Sequence, residues 1–128
     1  MSIEDEVRRV NEYIQRRPWF DFEVDSLTAR NLSVTGTIDE SFPHEIEVLF
    51  EHVIAFSGPS TWQTDTSHRS LSILSGARAY ELNLRYQVEQ GFQLFQFRAE
   101  HHPEDGWPVI AAEGLKMIAG PYFVSESR

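Results

Sequence analysis

The period of the apolar pattern changes once along the chain, near Pro18. In "SIEDEVRRVNEYIQRR", Ile3, Val7, Val10 and Ile14 recur at intervals of three or four residues, the spacing that gathers side chains on one face of an α-helix. Ser2 stands at the cap position with Asp5 three residues later, a capping-box arrangement. Acids fill the first turn, and Arg16 and Arg17 the last, matching the helix dipole. Pro18 closes the element. The pattern predicts a helix over residues 3–16 whose apolar stripe packs on a sheet.

Beyond Pro18 the period falls to two. "WFDFEVDSLTARNLSVTGTID" is rich in aromatic and β-branched residues and reads as strand, with Gly36 as a bulge or turn. In "HEIEVLFEHVIAF", Ile46, Val48 and Phe50 alternate with Glu45, Glu47, Leu49 and Glu51. "SGPSTWQTDTSHRS" reads as a polar loop around Trp62 with room for a short ordered piece, and "SLSIL" as a short strand. In "AYELNLRYQVE" every second residue from Tyr80 to Val88 is apolar. With the "QG" turn and "FQLFQFRAE" behind it, this predicts a hairpin pairing Tyr80–Val88 with Phe92–Ala99. The apolar phase slips between Leu94 and Phe95, implying a bulge or burial of both faces. "PVIAAEGLKMI" reads as a last strand broken by Gly114. These elements predict an α+β fold: an N-terminal helix (1–17) on a curled, mostly antiparallel sheet of about six strands (18–128), barrel-like or open.

A length of 128 residues suits one domain, and 41% apolar residues suit a globular chain. No apolar run approaches a membrane span, and the charged start "MSIEDEVRRV" lacks a signal peptide's apolar core. Cysteine is absent, which excludes disulfides, thiolate catalysis and cysteine-ligated metals. A cytoplasmic protein is expected. Charge sharpens the picture. The net charge is −9, from 20 acids against 11 bases. Residues 1–17 balance at four of each, whereas residues 18–60 hold eight acids and a single base, Arg30. Such a field repels nucleic acid and attracts a cationic partner.

In "FDFEVD", Asp21, Glu23 and Asp25 alternate with Phe20, Phe22 and Val24, so a strand sets all three acids on one face. A hard cation needs several converging oxygens. Alternate strand residues stand nearly 7 Å apart, and no calcium loop follows, so no metal is expected there. His101 and His102 are adjacent and would point apart on a strand, and no metal-binding histidine spacing occurs. Asp65, Ser67, His68 and Ser70 crowd one loop without a nucleophile motif, and the glycines are scattered singly. Neither catalysis nor a cofactor is expected. Docking a basic protein explains the segregated charge, with Asp21, Glu23, Asp25, Glu45, Glu47 and Glu51 as candidate contacts and Trp62 as an apolar anchor. Were strands 20–26 and 45–51 neighbours, like charges would face one another, a repulsion that a cationic partner removes. The oligomeric state stays open.

The segments "WFDFEVDSL", "LSVTGTI" and "EIEVLFEHVIAF" resemble the opening of small bacterial immunity proteins of polymorphic and contact-dependent toxin systems. Phe20, Asp21, Glu23, Val24 and Leu27, then Glu47, Leu49, Phe50 and Val53, carry the resemblance. Phe20 stands where that pattern often has histidine. The resemblance implies a cytoplasmic, non-enzymatic antitoxin that blocks a cognate toxin with a basic surface, such as a nuclease. The alternative is a barrel-like small-molecule binder or enzyme with an aromatic-lined pocket.

Overall fold

The computed structural model describes residues 2–38 and 44–119. Helix α1 (Ile3–Ile14) is followed by strands β1 (Trp19–Thr28), β2 (Asn31–Thr37), β3 (Ile46–Glu51), β4 (Ala55–Ser57), β5 (Thr61–Asp65) and β6 (Leu71–Ile73). Helix α2 (Gly76–Tyr86) then leads to β7 (Gln93–Phe97), a 3-10 turn at Glu104–Gly106, β8 (Val109–Ala112) and β9 (Gly114–Ala119). The fold is α+β. Its strands form two open antiparallel sheets, ordered β5-β1-β2-β3-β9 and β4-β8-β7-β6. Among the described residues no helix is long and apolar enough to cross a membrane.

The sheets meet across one core. Phe20, Phe22, Val34, Val48 and Phe50 of the larger sheet are buried against Phe95, Phe97 and Ile110 of the smaller. The Phe22 and Phe97 ring centroids lie 5.2 Å apart, and those of Phe50 and Phe95 5.3 Å, within the range where aromatic pairs add to simple burial.

Helix α1 closes the gap between the edge strands β9 and β6. Val7, Val10 and Ile14 are fully buried in the shared core. Two polar side chains on the same helix occupy strand edges. The Met117 amide of β9 donates to Glu6 Oε2 at 2.8 Å. Asn11 accepts from the amides of Ser70 and Leu71 and donates to the Leu71 carbonyl at 2.8 Å. Buried backbone groups left without partners are costly and open edges invite stray pairing, so these two side chains cover one edge of each sheet. The Ser2–Asp5 capping box forms as the sequence implies. The helix ends at Ile14, so Arg16 and Arg17 lie just beyond it.

The expected hairpin between Tyr80–Val88 and Phe92–Ala99 does not form: residues 76–86 are helical, and β7 pairs with β6 and β8 instead. Alternation at 80, 82, 84 and 86 suits a strand, but on a helix two residues advance about 200°. Leu82 accordingly packs on Leu94, Val109 and Ala111 on the back of the smaller sheet, with Ala79 and Tyr86 beside it. Because α2 covers that back, β7 is buried on both faces, and this accounts for the phase slip at Leu94 and Phe95.

Three further corrections concern turns. Gly36 is neither turn nor bulge but lies inside β2. A Cβ there would stand 2.7 Å from Phe22 Cε1 and 2.9 Å from Ile46 Cγ2, so only glycine fits beneath the ring. The β1–β2 turn is made by Ala29 and Arg30, with φ of 50° and 68°, and its lack of glycine hid it from the sequence. "PVIAAEGLKMI" is two strands in different sheets, parted at Glu113. The strands exceed the expected six because "HEIEVLFEHVIAF" divides into β3 and β4, and the supposed loop around Trp62 holds β5.

Candidate functional site

Strand β1 has Phe20 and Phe22 in the core and Asp21 and Glu23 on the opposite face. Its neighbours repeat that polarity. Asp21 lies between Thr37 of β2 and Gln63 of β5, and Glu23 between Thr35 and Thr61. Every one of these residues therefore shares the outer face of the larger sheet. The register slips between Val24 and Ser26, so Asp25 is the extra residue of a bulge, a device that re-aims side chains.

Against this surface opens a cleft of about 500 Å³ bordered by Asp21, Glu23 and Asp25, with Thr35, Thr61, Gln63 and His44 completing its walls. Asp21 is half-buried, while Glu23 and Asp25 are exposed. Among the described residues none of the three carboxylates has a salt-bridge partner. Also among the described residues, no group of three or more His, Cys, Asp or Glu side chains could hold a metal ion.

The other expected contacts are placed differently. Glu45 is 8% exposed and receives Arg17 Nε at 3.0 Å and the Tyr13 hydroxyl at 3.2 Å. Burial, and then the Glu45 charge, push the Tyr13 phenol up to about 12. Glu45 thus anchors the end of α1 to the start of β3 and is withdrawn from docking. Glu47 shares the outer face but accepts a hydrogen bond from the Ser33 hydroxyl. Glu51, at the end of β3, has Lys116 Nζ 4.0 Å away. Trp62 is no exposed anchor: it sits in β5, is 5% exposed and packs against both Phe22 and Phe97, yet it also lines the cleft beside Asp21, Glu23 and Asp25. Nor do the two acidic strands touch. β2 runs between them, placing Thr35 between Glu23 and Glu47, so the two carboxylate rows are separated by about 9.5 Å of sheet.

The cleft walls at Thr61, Gln63 and His44 went unread in the sequence. Thr61 and Gln63 alternate with Trp62 and Thr64, a strand signal hidden by the surrounding polar residues; His44 carried no signal at all. Comparison of the chain with protein-family models, with curated proteins and with solved structures returned no match.

Proposed function

We propose that this chain is a non-enzymatic binding protein of the immunity type, whose acidic cleft receives a Lys- or Arg-bearing segment of a cognate toxin. One observation carries the reading: Asp21, Glu23 and Asp25 border one cleft without a cationic partner among the described residues. Three carboxylates held together repel one another, and an incoming cation relieves that repulsion. The hydroxyls of Thr35 and Thr61 and the amide of Gln63 stand beside them, suited to hydrogen-bond a guanidinium or the backbone of a docked loop. Acting in the bacterial cytoplasm, the protein would cover the toxin's substrate-binding surface.

The test is association kinetics, at several ionic strengths, against the protein encoded directly upstream, together with inhibition of that protein's activity. Asp21→Asn combined with Glu23→Gln should slow association and flatten its salt dependence, since exposed charges act mainly on the on-rate. Glu45→Gln should not be used as a docking probe, because it breaks the tie to Arg17. Binding that ignores salt and is unchanged in the double variant would remove the cleft from the interface.

A further inference from the structure

The three tryptophans differ in what meets their rings. Trp62 is buried in the core. Trp107 carries the Arg98 guanidinium over its ring at 5.2 Å, and that guanidinium also pairs with Glu100 at 2.8 Å. Aromatic face, arginine and carboxylate make a closed set there. Trp19 has an aromatic face and a carboxylate but no cation. It opens β1 on the same outer face as Asp21 and Glu23, is 39% exposed, and has Asp65 of β5 as its cross-strand partner. Side chains paired in this way stand about 5 Å apart. Among the described residues no cation lies over the Trp19 ring, and Asp65 has no salt-bridge partner. The Ser67 amide donates to Asp65 Oδ1 at 2.9 Å and holds that carboxyl below its usual range, so it is charged. Trp19 and Asp65 line a cleft of about 380 Å³ together with Gln63, Glu100 and His101. Gln63 lines the acidic cleft as well, so the two openings adjoin across one side chain.

We propose that Trp19 and Asp65 form a second subsite, specific for arginine, and that the segment bound in the acidic cleft fills both from alternate residues of an extended chain. The inference rests on reading the acidic cleft as the seat of a basic side chain. A guanidinium is flat and weakly hydrated, so it lies on an indole while its edge donates to a carboxylate; an ammonium is a hydrated point charge and stacks less well. Arg98 makes both contacts inside this chain. Glu100 is committed to it, which leaves Asp65 as the carboxylate open to a visitor. Charge complementarity sets the sign of that visitor: β1 and β5 together hold four acids, Asp21, Glu23, Asp25 and Asp65, and no lysine or arginine. Spacing sets its shape. The rungs Trp19–Asp65 and Asp21–Gln63 are two residues apart on β1, so the subsites stand about 7 Å apart, the distance between side chains on one side of an extended segment. The aromatic contact expected of Trp62 thus falls to Trp19.

Two end-blocked peptides of one composition test the proposal, Gly-Arg-Ser-Arg-Gly and Gly-Arg-Arg-Ser-Gly, titrated into the full chain and followed by nitrogen-15 NMR. The first should move the Trp19 indole N–H together with the Asp21 and Asp65 amides. The second has equal charge but turns its arginines to opposite sides, and should bind about two- to fivefold more weakly, the worth of one exposed cation–aromatic contact. Trp19→Leu keeps apolar area without an aromatic face, and Asp65→Asn keeps an acceptor for the Ser67 amide. Each should weaken the first peptide about two- to fivefold. Lysine in place of both arginines should weaken it too. Equal binding of the two peptides, or binding that Trp19→Leu and Asp65→Asn leave unchanged, overturns the second subsite and leaves the acidic cleft standing. Binding that Trp19→Leu weakens but Asp21→Asn with Glu23→Gln does not sinks the cleft reading, and the paired occupancy with it. No shift with either peptide up to about 10 mM also overturns the second subsite, while the cleft keeps its own test against the upstream protein.

Discussion

The two helices have nearly the same length and opposite relations to the rest of the chain. α1 spans twelve residues with Val7, Val10 and Ile14 wholly inside the shared core. It begins with a reciprocal cap and uses Glu6 and Asn11 to close two strand edges. α2 spans eleven residues, buries Leu82 alone, and has no side-chain hydrogen bond at its cap residue Ser75. It packs on the outside of a sheet already completed by other strands. Both fold as helices, but only in α1 do the apolar pattern, the cap and the partners agree. α2 is held by what lies beneath it, and its outer apolar residues are left over.

The sharpest way to break this contrast is to truncate one anchor in each helix. Ile14→Ala removes a fully buried side chain from the common core and should cost about 2–5 kcal/mol. Leu82→Ala, in the smaller outer cluster, should fall at or below the low end, about 2 kcal/mol. Urea denaturation measures both; equal losses would mean that α2 is as integral as α1.

A second comparison isolates the edge-closing role. Asn11→Ala leaves the Ser70 and Leu71 amides without their side-chain acceptor and the Leu71 carbonyl with Arg69 Nε as its remaining side-chain donor, so it should cost about 1–3 kcal/mol. Hydrogen exchange at those two amides should accelerate before the rest of the sheet opens. Unchanged protection would show that the edge is satisfied some other way.

The caps offer a smaller contrast. Ser2→Ala removes the hydroxyl that accepts from the Asp5 amide, leaving the backbone half of the capping box in place, and should cost about 1 kcal/mol. Ser75→Ala, with no cap bond to lose, should change stability by no more than a few tenths of a kcal/mol. A loss at Ser75 matching that at Ser2 would mean α2 is capped in solution.

The smallest effect is in pH dependence, at two groups of α1. Tyr13 is neutral in the fold, its phenol raised to about 12 by burial and by Glu45. A raised folded value stabilises fully below the ordinary tyrosine value of about 10. That contribution is lost as pH rises through about 12. Phenolate absorbance should show a late step absent from Tyr13→Phe. At the other end of the helix, Asp5 is held below the usual carboxylate range by the Ser2 backbone amide, then by the Ser2 hydroxyl and Arg8. That stabilisation is present above the ordinary carboxylate value and fades as acid carries the pH down through the lowered one.

α1, the alternation in β1 and β3, and the acidic segment could all be read from the chain, because each depends on near neighbours: a cap three residues away, a stripe at helical spacing, acids and phenylalanines alternating in place. The chain also determined that Asp21 and Glu23 share a face, since strand geometry leaves no other choice. Tertiary structure decided the rest. Residues 80–86 became helix on the back of the smaller sheet, where Leu82 is buried and Tyr80 and Leu84 are left outside, against the alternation that suits a strand. Glu45 lost its place on the docking face because the end of α1 delivered Arg17 and Tyr13 to it. Trp62 left the surface because pairing of β5 with β1 turned its ring into the core. The insertion of β2 between the acidic strands replaced facing carboxylates with threonine. Each outcome turns on contacts between distant segments, and no local pattern records which segments will meet.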